Sequence, residues 1–179
     1  SKLLRKKKAF GYDKSLDQRI FPGIYDVDEL GLNYRMSEIH AAIGVLQLKK
    51  FKFFLKKRSN NFKYLKIKFR NIEEITIIPN LESVIKGSYY CFSILLSKKI
   101  YKKRFKIIKY LKKKGIQTSI YYPHPIPRLS YYKKKYKLKT STYKTALLLS
   151  NSTISLPVGP HINKDGIDFI AKTINKVLS

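Results

Sequence analysis

Three side chains able to bind an anion stand together just before a helix signal. Asn33 offers a carboxamide, Tyr34 a phenol and Arg35 a guanidinium. Gly31 and Asn33 suit a turn because both tolerate positive φ, and Ser37 then reads as an N-cap with Glu38 favouring the positive helix end. Amide and guanidinium donors beside a helix N-terminus are suited to holding a phosphate. The same spacing also fits an ordinary turn before a capped helix, so the residues alone leave both readings open. A second group lies in the proline-rich turn at 121–127, where Tyr122 and His124 are candidates for contact with a small ligand. His40, one turn into the helix, and His161, after a proline turn, read as structural, and the three histidines lack metal-ligand spacing. Five of the eleven carboxylates fall at Asp13, Asp17, Asp26, Asp28 and Glu29. They lack the regular spacing of a calcium loop, and turn-forming or capping use is expected.

The elements that would position these groups follow from periodicity and turn chemistry. A helix at 2–9 ends near Gly11, and a polar stretch at 12–32, broken by Pro22 and Gly23, reads as a loop. From Glu38 a helical pattern puts Ile39, Ala42, Ile43, Leu46 and Phe53 on one face and continues to about 69, with a bend expected near Ser59-Asn60-Asn61. Strands are expected at 75–78, ending at Pro79, at 89–96 and at 116–122, with a connection at 80–88. A helix over 99–114 should turn Phe105, Ile108 and Leu111 inward and stop at Gly115. A short helix at 143–150, an extended piece at 153–156 and a closing helix at 164–178 complete an α+β arrangement, a short sheet packed on one face by helices. Cys91 is the lone cysteine, and its neighbours Tyr90 and Phe92 suggest a buried thiol.

Charge is the most unusual property of the chain. Its 179 residues carry a formal +28, with 32 lysines against seven arginines. Such a balance raises nucleic acid or an anionic membrane as partner. Arginine, the residue of bidentate base contacts, is however scarce, and the excess of Lys, Ile, Asn, Tyr and Phe fits AT-rich codons. A solvated basic surface is the reading favoured over nucleic acid, and a basic nucleic-acid-binding module is kept as the alternative. No apolar run approaches the roughly 20 residues that a membrane span needs. The chain begins without an initiator methionine, which suggests that it starts inside a longer protein.

The stretch from Gly31 to Leu48, GLNYRMSEIHAAIGVLQL, resembles the signature of the DegT-type sugar aminotransferases. The upstream passage from Leu3-Leu4-Arg5 to Gly11-Tyr12-Asp13, the later GIQTSIYYP from Gly115 and Ser155-Leu156-Pro157 with Pro160 follow in the same order. The resemblance implies the C-terminal part of a fold-type-I pyridoxal-phosphate enzyme. It divides the chain into 1–58, the end of a large cofactor domain with a dimer-interface loop and long helix, and 59–179, a small α/β domain. It implies that Asn33 and Arg35 bind the cofactor, with Asn33 reaching the phosphate of a neighbouring subunit, and that Tyr122 and His124 face the substrate. Many members carry a histidine where this chain has Pro127. The Schiff-base lysine of the family lies upstream of this chain, so the fragment is expected to be inactive alone. The implied reaction aminates a nucleotide-linked keto-sugar with glutamate as donor, in a cytoplasmic homodimer with shared active sites. Precursors of polysaccharides or glycans are the implied products. A related dehydratase using pyridoxamine phosphate is the alternative within the family. No metal is implied.

Overall fold

The computed structural model describes residues 1–78 and 87–178. Pro79 and residues 80–86 of the expected connection lie outside them. The chain forms two compact units, Ser1–Lys50 and Phe51–Ser179.

The first unit starts with helix α1, Lys2–Lys7, whose first turn is capped by Ser1. Phe10 and Gly11 both take positive φ, +63° and +78°, and reverse the chain. The excursion that follows carries a short 3-10 turn at Leu16–Gln18 and returns through isolated bridges, Tyr12 to Val27 and Ala9 to Asn33. Backbone bonds from Leu32 N to Lys7 O (2.8 Å) and Tyr34 N to Lys8 O (2.8 Å) tie the returning strand to the end of α1. Two glycines make that approach feasible. A Cβ on Gly11 would sit 1.8 Å from the Glu29 carbonyl oxygen, and one on Gly31 would sit 2.2 Å from the Gly11 nitrogen. The loop acids serve this geometry: Asp13 accepts from Asp26 N at 2.8 Å, Asp28 pairs with Lys6, and Glu29 faces Lys7 at 3.9 Å.

Helix α2, Glu38–Phe69, is continuous. The bend expected near Asn61 does not occur. The Asn61 amide instead donates to the carbonyls of Gly159 and Ile162, both at 3.0 Å, so it does not compete for its own helix backbone. The start is as expected: His40 N donates to Ser37 Oγ at 3.3 Å, and Ala41 N donates to the Ser37 carbonyl at 2.9 Å. The apolar face at 39–46 is exposed, with Ile39 at 74% and Ile43 at 52%. In the second unit the same helix buries Phe62, Leu65 and Phe69, one face at helical spacing.

The second unit is built on an antiparallel sheet of order β1-β2-β3, with β1 Ile75–Ile77, β2 Phe92–Leu96 and β3 Thr153–Leu156. Between β2 and β3 run α3, Arg104–Lys113, then α4, Ser130–Tyr136, and α5, Lys144–Ser152. Helix α6, Lys164–Leu178, closes the chain within the expected bounds. Phe92 stands at the centre of the core, its ring 5.1 Å from Phe62 and 5.7 Å from Phe69, and Ile107, Leu111, Ile154, Ile167 and Ile174 join the same cluster. Helix α3 faces the core through Arg104, Ile107 and Leu111. Phe105, expected inward, is 68% exposed: the stripe runs one position earlier and later, and the guanidinium of Arg104 lies 4.8 Å from the Phe105 ring centre. Gly115 has φ +78°, and Ile116 N reaches back to Leu111 O at 2.9 Å while Gly115 N reaches Lys112 O at 3.0 Å. This is a Schellman stop.

The expected strand at 116–122 shrinks to one bridge. Ser119 and Ser155 exchange backbone bonds of 3.0 and 2.8 Å, and the chain then leaves the sheet edge into a segment whose prolines at 123, 125 and 127 have no N–H to pair. Cys91, expected buried, is half-buried. It precedes β2, where inward Phe92 takes the core position and leaves its neighbour on the other side.

Candidate functional site

Asn33 and Arg35 lie in the first unit, and Tyr122 and His124 in the second. Asn33 is fixed at the backbone by its bridge to Ala9. Its side-chain oxygen accepts from Arg35 N at 3.4 Å, a turn typical of asparagine. That contact uses the carbonyl end of the carboxamide and leaves its NH2 as the donor. His40, expected to be structural, contacts the cap of its own helix, its Nδ1 2.8 Å from Ser37 Oγ. Tyr34 is exposed.

Arg35 belongs to a larger group. Phe10 and Tyr12 stack with ring centres 5.4 Å apart, and Tyr12 and Tyr25 approach to 4.2 Å. The Arg35 guanidinium lies 5.6 Å from the Phe10 ring centre and 5.5 Å from that of Tyr12. A second guanidinium, that of Arg19, lies 4.9 Å from Tyr12 and 4.6 Å from Tyr25. The hydrogen bond with Tyr25 raises the Tyr12 phenol above its ordinary pKa, while the two guanidinium charges pull the other way. Among the described residues no carboxylate pairs with Arg19 or Arg35. Arg19 Nε and Nη2 are closed off from solvent and have no acceptor.

Sequence reading missed Arg19. One signal pointed to it: in a chain so biased toward lysine, an arginine is a candidate for a place where a planar, stacking guanidinium serves and an ammonium does not.

In the second unit Tyr122 and His124 are exposed, the Tyr122 ring resting against Tyr121 at 5.8 Å. Tyr121 also meets Tyr90, and the hydrogen bond between these phenols raises the Tyr90 pKa. Both line an open recess of about 280 Å³ with Cys91, Gln117, Ser155 and His161. The turn itself is anchored by Ser150, whose hydroxyl donates to Pro123 O at 3.3 Å. Arg128, at the end of the turn, donates to Asn151 Oδ1 at 3.3 Å. Buried Arg104, 5% exposed, donates to the neighbouring Ser150 carbonyl, and desolvation lowers its pKa. Among the described residues no His, Cys, Asp and Glu cluster could hold a metal ion, and no helix is long and apolar enough to cross a membrane.

Known proteins share this architecture over nearly the whole chain. Residues 2–175 match the model of the DegT/DnrJ/EryC1/StrS aminotransferase family. A UDP-4-amino-4,6-dideoxy-N-acetyl-beta-L-altrosamine transaminase of Helicobacter pylori is 30% identical over 98% of this chain and 45% of its own length. The solved structure of a Helicobacter pylori aminotransferase involved in the biosynthesis of pseudoaminic acid superposes with a TM-score of 0.84 at 25% identity. That superposition covers 97% of this chain and 44% of the other. A Streptococcus pneumoniae protein solved in its PMP form has the same fold, with a TM-score of 0.87 at 21% identity over 97% of this chain and 43% of that one. The chain thus spans less than half the length of these relatives.

Proposed function

Because the chain belongs to the DegT/DnrJ/EryC1/StrS aminotransferase family, we propose that it forms the C-terminal part of an enzyme that aminates a nucleotide-linked keto-sugar. Pyridoxal phosphate is its cofactor and glutamate its amino donor. The observation that supports this best is the pairing of Asn33 and Arg35 beside a capped helix start, both with donors that no carboxylate in the first unit has taken. That donor set fits the phosphate end of the cofactor, since an amide NH2 and a guanidinium supply several N–H groups and no opposing negative charge.

Bound, the cofactor supplies an electron sink at the carbon that exchanges the amine. The residues of this chain bind and orient. Asn33 donates to a phosphate oxygen, and the Asx turn to Arg35 N fixes the direction of that donation. Arg35, held on its aromatic base, adds positive charge without collapsing onto a neighbouring carboxylate. Tyr122 and His124 contact the sugar, presented on a turn anchored by Ser150. Residues 1–58 complete a cofactor domain contributed across a two-fold interface and residues 59–179 form the small domain, so the enzyme works as a homodimer with shared sites. A sugar-nucleotide pool places it in the cytoplasm, in polysaccharide or glycan precursor synthesis.

The test uses the gene product that contains this chain. Its visible cofactor absorbance should be trapped by borohydride, and Asn33→Ala should make the cofactor dialyse away at least about tenfold more readily, the loss expected for one charge-assisted hydrogen bond. Absence of any cofactor band in the unmodified protein rejects the reading.

A further inference from the structure

We propose that Arg19 joins Arg35 and Asn33 in one anion site that takes the oxyanion of a phosphate or diphosphate ester. The proposal depends on the function above only for which ester arrives. Its basis is a mismatch between donors and acceptors in the first unit. Arg19 and Arg35 place two full positive charges on one aromatic row, Phe10, Tyr12 and Tyr25, yet the acids around them are spent elsewhere. Asp13 accepts from Asp26 N, Asp26 from Val27 N and Asp17 from Ser15, while Asp28 binds Lys6 and Glu29 faces Lys7.

Nε and Nη2 form the side-on edge of a guanidinium, the edge that meets an oxyanion with two parallel N–H bonds. On Arg19 that edge is closed off from solvent and has no acceptor among the described residues. Stacking on Tyr12 and Tyr25 compensates the charge but not the N–H directionality. A phosphate that draws this edge off the rings gives both N–H groups acceptors that the free chain withholds. Phe10 at φ +63° contributes the far end of the row through a backbone conformation that is uncommon for a non-glycine residue. The chemistry needs arginine, because a lysine ammonium has no second parallel donor and no flat face to rest on a phenol. Two sources carry such an oxyanion: the phosphate of the cofactor and the diphosphate of a nucleotide-linked sugar.

The first experiment is calorimetric titration of the gene product that contains this chain with inorganic diphosphate, at low and high salt, for the unmodified protein and for Arg19→Gln, Arg19→Lys and Arg5→Gln. Arg5, at the end of α1, controls for the general basic charge. Saturable binding is expected in the unmodified protein. It should weaken at least about tenfold in Arg19→Gln, by less in Arg19→Lys, and by under about twofold in Arg5→Gln. Equal losses in Arg19→Gln and Arg5→Gln, or no saturable binding at all, overturn the proposal. A second arm separates the sources in the gene product that contains the chain. Cofactor loss in Arg19→Gln with unchanged KM for the nucleotide sugar assigns the cofactor phosphate; a raised KM with the cofactor retained assigns the diphosphate. A variant unchanged in both overturns the proposal. Should the unmodified gene product carry no cofactor, the functional reading fails while the diphosphate titration still judges Arg19.

Discussion

The two units of this chain solve the problem of holding a loop in place by opposite means. Among the described residues every hydrophobic side chain of the buried core lies between Phe62 and Ile174. In the first unit position is set by backbone instead: Leu32 and Tyr34 donate to the carbonyls of Lys7 and Lys8, a pair of glycines lets the strands close, and guanidinium groups rest on phenols. A core is tolerant in detail and costly to hollow out. A backbone crossing is cheap in area but admits no side chain at its centre. The difference puts the buried core in the second unit and a backbone-defined loop geometry in the first.

The harshest challenge to this contrast is a pair of truncations on one helix. Leu65→Ala, in the core, should lower unfolding free energy by about 2–5 kcal/mol. Ile43→Ala, on the exposed face of α2, should change it by no more than about 0.5 kcal/mol in this chain. Urea midpoints measure both, and equal losses would abolish the distinction. Gly11→Ala is the next most severe. At φ +78°, with the Glu29 oxygen in the way, an added methyl should cost about 1–3 kcal/mol of local strain. Amide exchange at Leu32 and Tyr34 should quicken while Ile94, in the central strand, keeps its protection. Loss of protection at Ile94 to the same degree would mean that the units unfold as one.

The smallest effect is the pH dependence contributed by one ion pair of the second unit. Asp168 is paired with Lys68 at 2.7 Å and accepts from the Tyr64 hydroxyl at 3.0 Å. The Lys68 hydrogen bond, first among the causes, lowers the Asp168 pKa, and the same bond raises that of Lys68. A depressed carboxyl contributes stability that is full above its ordinary value, about pH 4, and is lost as pH falls through the lower folded value. For the lysine the sign reverses: its contribution is full below about pH 10.4 and is lost as pH rises through the raised value. Asp168→Asn should therefore flatten both limbs of the stability curve slightly, because the pair is exposed and screened. Unchanged limbs in thermal scans at pH 3, 7 and 11 would remove the pair from the account.

Much of the second unit was legible because its signals are local. The Gly115 stop rests on glycine at a left-handed position, and α6 on apolar spacing over 164–178. What failed were features decided by a distant partner. Asn61 reads as a helix weakener until Gly159 and Ile162 present carbonyls to it. The segment at 116–122 has strand composition, but only Ser119 reaches β3. Phe105 looked inward because the period was placed one residue off, with Arg104 taking a core-facing position that no charged residue is expected to hold. The candidate site divides the same way. Asn33 and Arg35 are visible as a contiguous motif, whereas Arg19 shares the Tyr12 ring with Arg35 only because the excursion folds back from Tyr12 to Val27.

The clasp at Gly11 and Gly31 also makes part of that excursion replaceable. Its base is pinned at the glycines and again at Tyr12 and Val27, while residues 20–24, between Arg19 and Tyr25, form an exposed turn closed by Ile24 N on Phe21 O. Doubling the length of such a tip costs only about 0.6 kcal/mol of closure entropy. It is therefore the place to graft an epitope or a dye, since its anchors lie outside the tip, and a reporter there would sit next to Arg19 in sequence.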